Sequence, residues 1–167
     1  MIDTNNQQER LLNLSWLAGM WEGEGNISLV KASKGRIMPR ATIINTDFVL
    51  IETCGQILKE NNVGHYFQTR INGCANNPKH KTAKVLVVAG MKRVQTLLNT
   101  LRPFLRGHKR EVAKLVIEYI DQRLTVGKYT PYSSIDLAFV EKVRTLNKKG
   151  PEESSETIRE PFDWIIK

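Results

Sequence analysis

Cysteine is scarce in this chain. Its two thiols, Cys54 and Cys74, lie far apart and form neither a CxxC pair nor a Cys/His pattern. That excludes a disulfide framework and a zinc finger, and it points to a reducing compartment. Cys54 falls in an apolar helical stretch and reads as a small core filler. Long hydrophobic runs are also missing: none approaches the roughly 18 to 20 residues of a membrane span. The N-terminal MIDTNNQQERLLNL is polar and acidic before its apolar residues, unlike a secretory signal. The expectation is a soluble, intracellular protein (cytoplasm or organelle) with no membrane partner. The three histidines, His65, His80 and His108, are too scattered for a histidine-metal finger, and no Glu-x-Lys nuclease triplet occurs. Acids are the minority charge: 17 Asp and Glu stand against 25 Lys and Arg, for a net charge of +8. A folded domain this basic most often meets a polyanion, usually nucleic acid.

What is present organises 167 residues as one domain with enough length for a real core. Leu11, Leu14, Leu17, Ala18 and Trp21 recur at helical spacing from Gln7 to about Glu22, and glycines at 23 and 25 break that helix. NISLVKA (26–32) and RATIIN (40–45) alternate and make a hairpin across the polar SKGR turn. Asp47 is an N-cap candidate for a helix carrying Leu50, Ile51, Cys54, Ile57 and Leu58 on one face. HYFQTRIN (65–72) and KTAKVLVVA (81–89) form a second hairpin around GCANNPKH. A third helix with Met91, Val94, Leu98 and Leu101 closes at Pro103, the basic RGHKR follows, and two further helices carry Val112 to Tyr119 and Ile135 to Leu146. The fold class expected is α+β: αββαββα, an antiparallel sheet with helices on one face, plus extra C-terminal helices. Residues 1–148 form the domain, and 149–167 an extension whose Phe162, Trp164 and Ile165 are expected to dock.

Residues 17 to 25, LAGMWEGEG, end the first helix in acids. Ser15, Ala18, Gly19 and Glu22 fall at i, i+3, i+4 and i+7, so one line of the helix is mostly small and lets another helix approach closely. A carboxylate at a helix C-terminus is disfavoured by roughly 0.3–1 kcal/mol unless a cation answers it. Glu24, flanked by Gly23 and Gly25, offers a carboxylate beside a freed carbonyl, an all-oxygen arrangement suited to Mg²⁺. The same residues also read as an acidic helix-to-strand turn with ordinary C-capping glycines.

Leu17, Ala18, Gly19, Glu22, Gly23, Glu24 and Gly25, with the hairpin after them and the αββαββα order over about residues 10 to 148, resemble the LAGLIDADG homing endonuclease family. Met20-Trp21 replace the usual pair, and both family aspartates appear as glutamates. The resemblance implies a saddle-shaped, four-stranded sheet in the DNA major groove and paired motif helices at a twofold axis. It implies Glu24 as the metal-binding carboxylate and the Gly23 carbonyl as a second ligand. Asp47 sits where the family places a residue that orders water, and Lys109, or alternatively His108, where it keeps a basic residue near the scissile phosphate. The family's frequent basic residue in the second helix has no counterpart in FVLIE. One motif per chain implies a homodimer with Ser15, Ala18, Gly19 and Glu22 at the interface, and a nearly palindromic target on double-stranded DNA. Mg²⁺ is the implied cofactor; Mn²⁺ would substitute, and Ca²⁺ would bind without turnover.

Strand parity sends Ser28 and Val30, Arg40 and Thr42, and Gln68, Arg70 and Asn72 to the face away from the helices, with Lys84 the outward candidate on the fourth strand. Such side chains suit base edges, whereas Lys34, Arg36, Lys79 and Lys81 at the hairpin tips suit phosphates. The function expected is a site-specific, intron-encoded DNA endonuclease that hydrolyses phosphodiesters and leaves short 3′ overhangs. The alternatives are an RNA maturase on the same fold and a non-catalytic DNA-binding protein. The third would normally lose the acid at position 24.

Overall fold

The computed structural model describes residues 4–32, 35–70, 81–127 and 130–149. The elements run α1 (Thr4–Glu24), β1 (Gly25–Lys31), β2 (Ile37–Asn45), α2 (Phe48–Glu60), β3 (Tyr66–Arg70), β4 (Ala83–Ala89), α3 (Met91–Leu101), α4 (His108–Val126) and α5 (Ser134–Lys149). The chain is α+β, and its four strands form one antiparallel sheet in the order β1-β2-β4-β3. The two hairpins therefore lie side by side, with the second strand of each in the middle. The Asn72, Cys74, Lys79 and His80 loop and the Phe162, Trp164 and Ile165 tail lie outside the described residues.

Alternation in the strands builds the core. Ile27 and Leu29 of β1, Ala41 and Ile43 of β2, and Leu86 and Val88 of β4 join one buried cluster with residues from all five helices. Trp21, Leu17, Ile51, Leu58, Leu97, Leu98 and Tyr119 are fully enclosed in it. Burying a large apolar side chain contributes about 1.5–3 kcal/mol, so this layer between sheet and helices dominates stability.

Three boundaries differ from the sequence expectation, each for a physical reason. Helix α1 does not stop at Gly23 but runs through Glu24, and β1 begins at the next residue. Gly25 makes that abrupt change possible, because a Cβ there would lie 2.4 Å from the Trp21 side chain and 2.7 Å from its carbonyl oxygen. Strand β2 begins at Ile37 rather than Arg40: Ile37 is 1 % exposed and anchors the strand, and Pro39 is accommodated opposite Leu29. Pairing with β4 begins only at Arg40, so the N–H that Pro39 lacks is not missed there. Leu11, expected inside, is 55 % exposed, because the buried side of α1 runs through Leu14, Leu17, Ala18 and Trp21 and leaves Leu11 off it.

The C-terminal helices brace the first hairpin. The Tyr119 hydroxyl of α4 donates to the Ile37 carbonyl at 3.1 Å, and the Asn147 amide of α5 donates to the Ile27 carbonyl at 2.8 Å. The latter bond covers the free edge of β1, a natural guard against edge-to-edge pairing. Between α4 and α5, Arg123 and Asp136 form a buried pair at 3.6 Å. Arg123 also donates to the Thr130 carbonyl at 2.8 Å, and Asp136 accepts from the Ser133 amide at 2.7 Å.

Candidate active site

The last turn of α1 collects the charged groups. Glu24 is exposed and makes no side-chain hydrogen bond among the described residues. Beside it, Lys109 enters from α4, 8 % exposed, and its ammonium donates to the carbonyls of Trp21 and Glu22, each at 2.6 Å. These are orphan acceptors of a helix C-terminus, where a cation is favoured. Burial lowers the Lys109 pKa from its ordinary 10.5, and the nearby Glu22 and Glu24 carboxylates push it back up. So the cation that answers the acids of EGEG is in the same chain, 88 residues from Trp21.

Glu22 does not face away from the protein. Its Oε1 accepts the Arg106 amide at 2.8 Å, and its Oε2 would lie 3.4 Å from a Cβ at Gly107. This ties the motif helix to the loop that launches α4. His108 is the first residue of α4 and half-buried, while the next residue, Lys109, is the one bonded to the α1 carbonyls. Asp47 caps α2: its Oδ1 accepts from the Val49 amide at 2.9 Å and the Leu50 amide at 3.3 Å. It sits just past β2, whose pairing with β1 begins at Gly25 opposite Ile43, so the cap lies at the same end of the sheet as Glu24.

The outer face of the sheet forms a groove of about 630 Å³ lined by Ser28, Arg40, Thr42, Gln68 and Arg70 over a floor including Ile44 and Val85. Arg40 lines the groove and donates through an Nη to the Gln68 side-chain carbonyl at 3.4 Å. Asn26 and Thr69 also line it. Asn26 was legible as the residue two before Ser28, but its place beside the glycine turn hid it. Arg36 and Lys81 are exposed next to β2 and β4, whereas Lys34, Asn72 and Lys79 lie outside the described residues. Lys84 is a correction. Across β2 it pairs with Asn45, whereas Val85 pairs with the groove-lining Ile44. Lys84 therefore faces the helices, with its ammonium 2.5 Å from Glu52, 4.7 Å from the Phe67 ring centre and 5.6 Å from that of Phe48. The mostly apolar run of β4 concealed this parity.

The small-residue line of α1 is also redrawn. Ala18 is 1 % exposed and packs in its own core, and Glu22 is held by Arg106. Ser15 and Gly19 do face outward, joined by Leu12, Trp16 and Gly23. Nothing lies within 4 Å of a Cβ built on Gly19 or Gly23. Leu12 is 65 % and Trp16 39 % exposed, so this open strip carries apolar surface as well as small residues.

No family model matches the chain, and no curated protein matches it. Solved structures do. The homing endonuclease I-CvuI in complex with its target in the presence of Ca is 22% identical, with 84% of this chain and 96% of that chain covered and a TM-score of 0.51. The same enzyme with the I-CreI target in the presence of Mg, its DNA not cleaved, gives 20% identity, 81% and 97% coverage and a TM-score of 0.50. The LAGLIDADG homing endonuclease I-GzeII in complex with its DNA target gives 18% identity and a TM-score of 0.55, covering 78% of this chain but 43% of that one. The chain thus has the fold of the LAGLIDADG homing endonucleases, formed once among the described residues. Among the described residues no helix is long and apolar enough to cross a membrane.

Proposed function

We propose that the chain is a LAGLIDADG homing endonuclease that works as a homodimer, cutting both strands of a long, near-palindromic DNA site with a divalent metal and leaving short 3′ overhangs. One observation carries the reading: the exposed carboxylate of Glu24 ends the motif helix beside the Lys109 ammonium, next to a sheet whose outer groove is lined by Arg, Gln, Thr and Ser side chains. A polar groove alone fits any DNA-binding protein; an unpaired acid held next to a buried lysine fits phosphodiester chemistry.

The residues fit a hard cation only as part of a larger set. Glu24 and the Gly23 carbonyl are oxygen donors of the kind Mg²⁺ takes. Among the described residues no three His, Cys, Asp or Glu side chains converge, so the remaining positions would fall to phosphate oxygens, water and a second chain. A cation held there would polarise the phosphoryl group and lower the pKa of an attacking water. The chain's own residues do the positioning. Lys109 fixes the last turn of α1 by its bonds to the Trp21 and Glu22 carbonyls, and Asp47, whose Oδ1 caps α2, would offer its Oδ2 to a water.

The fold unit accounts for nearly the whole I-CvuI chain but for less than half of I-GzeII. One unit has one acid corner, and a duplex has two strands. The strip of Leu12, Ser15, Trp16, Gly19 and Gly23 is the surface on which a second copy would pack, bringing two Glu24 corners together.

Selection of cleaved sites from a randomised duplex library in Mg²⁺, repeated for binding in Ca²⁺, tests the reading. We expect near-palindromic cut sites, and a Glu24→Gln chain that binds the same sites but cuts them about a hundredfold to a thousandfold more slowly, the scale of losing a central electrostatic group. Undiminished cutting by Glu24→Gln would overturn it. Binding to structured RNA with no cut duplex recovered would move the chain to the maturase reading.

A further inference from the structure

Helices α4 and α5 pack together, and the seam between them opens into a shallow groove of about 420 Å³ lined by Leu115 of α4 and Glu141, Lys142, Thr145 and Leu146 of α5. Leu115 and Leu146 are half-buried, pack on the main core and give the groove its apolar surface. No strand residue and neither acid of the α1 corner lines it. Lys142 stands exposed on the rim, in no ion pair among the described residues. The sequence supplies an occupant beside it. Helix α5 ends at Lys149, within a turn of Leu146, and Gly150-Pro151 follow, a pair that stops a helix and lets the backbone turn. The ten residues EESSETIREP then lead to Phe162, Asp163, Trp164, Ile165 and Ile166. Lys142 lies about 10 Å back along the helix axis from Lys149, and ten extended residues span roughly 33 Å, so the apolar run reaches the groove with length to spare. Charge favours the return as well: residues 150–167 hold five acids against two bases, in a chain whose net charge is +8.

We infer that residues 162–166 of the same chain dock in the α4–α5 groove, with Phe162, Trp164 and Ile165 against Leu115 and Leu146 and with Asp163 answered by Lys142. The contact has a consequence for the sheet. Leu146 lines the groove and the next residue, Asn147, donates to the Ile27 carbonyl on the free edge of β1. An occupant that pins this turn of α5 also holds the guard on that edge. The inference calls on no nucleic acid and stands apart from the endonuclease reading.

The test is photocrosslinking in the full chain. Trp164→p-benzoylphenylalanine is irradiated, and the linked peptides are mapped by mass spectrometry in a mixture of light and isotopically heavy chains. The expected product is a link within one chain to α4 around Leu115 or to α5 over 141–146. Leu115→Ser should cut its yield severalfold. So should Thr145→Asp, at an exposed position where helix content by circular dichroism should be retained. In the chain without the photocrosslinker, Trp164→Ser should speed amide exchange in the last turns of α5 and leave α2 as it was. Links between light and heavy chains would overturn the inference in favour of a segment exchanged between copies. Links to Leu124 or Ile135 at the other end of the helix pair, links to the sheet groove around Arg40, or a yield no higher than that of the chain in urea would each overturn it outright.

Discussion

The Lys109 ammonium sits 2.6 Å from the carbonyl oxygens of both Trp21 and Glu22, closing the C-terminal end of the helix that carries Glu24. A single buried cation thus joins α4 to α1 at the point where the chain turns into its first strand.

Replacing Lys109 with Met keeps the stem and removes the charge. Two carbonyls lose a charged donor, at about 1.5–3 kcal/mol each before the desolvation relieved is set against it, so the net loss should be about 1–2 kcal/mol in urea titrations. The pH dependence has a definite sign. Burial holds the folded Lys109 pKa below 10.5, so the folded state releases its proton first. Its contribution to stability is least below the folded pKa and rises with pH from there to 10.5. Lys109→Met should lack that rise when the two proteins are compared point by point.

Cys54 shows the opposite sign. It is fully buried, and burial raises its thiol from 9.0 to about 11. The folded state keeps a proton that the unfolded state gives up, so stability from this group falls as pH climbs from 9.0 toward 11. In a Cys74→Ser chain the remaining thiol should resist a disulfide reagent near pH 8, one unit below its unfolded pKa of 9.0, and react at once in denaturant. Prompt labelling of the native chain would show that α2 opens readily.

The glycines of the motif should separate by role. Gly25→Ala drives a Cβ against the Trp21 backbone, which cannot move without unwinding α1, and should cost more than about 2 kcal/mol or abolish folding. Gly19→Leu meets nothing within the chain, so helicity should be retained while the proposed homodimer falls to monomer in sedimentation. A Gly19→Leu dimer as tight as wild type would place the interface elsewhere.

On the sheet, Arg40 and Lys84 should behave differently despite both being cations on central strands. Arg40→Ala removes a groove-lining guanidinium and should relax sequence preference at one position in each half-site of the proposed target, by about 1–3 kcal/mol. Lys84→Met breaks a pair with Glu52 on the helix side and should leave target preference unaltered. Competition with single-base variants of a selected site separates the two outcomes.

Much of this was open to sequence reasoning because it depends on local periodicity. Alternation in NISLV and RATII sets which residues face the helices whatever lies across the sheet, and the groove residues of β1, β2 and β3 follow from it. It failed on β4, where AKVLVVA gives no contrast between faces and Lys84 drew the wrong inference. It also failed on α1, because a helix with apolar and small residues on several sides does not announce which side its own core takes: Ala18 went inward, and Leu12 and Trp16 did not.

Order and kind of element, the glycine-flanked acids and the excess of positive charge were determined by the amino-acid sequence alone, since each rests on residues within a turn or two of one another. The tertiary structure decided what those acids meet. Lys109, the Arg106 amide and the groove beside β3 reach the end of α1 from distant parts of the chain. The β1-β2-β4-β3 order and the packing of five helices put them there. Contacts between residues more than 80 positions apart are set by which surfaces bury together, and no local pattern records that.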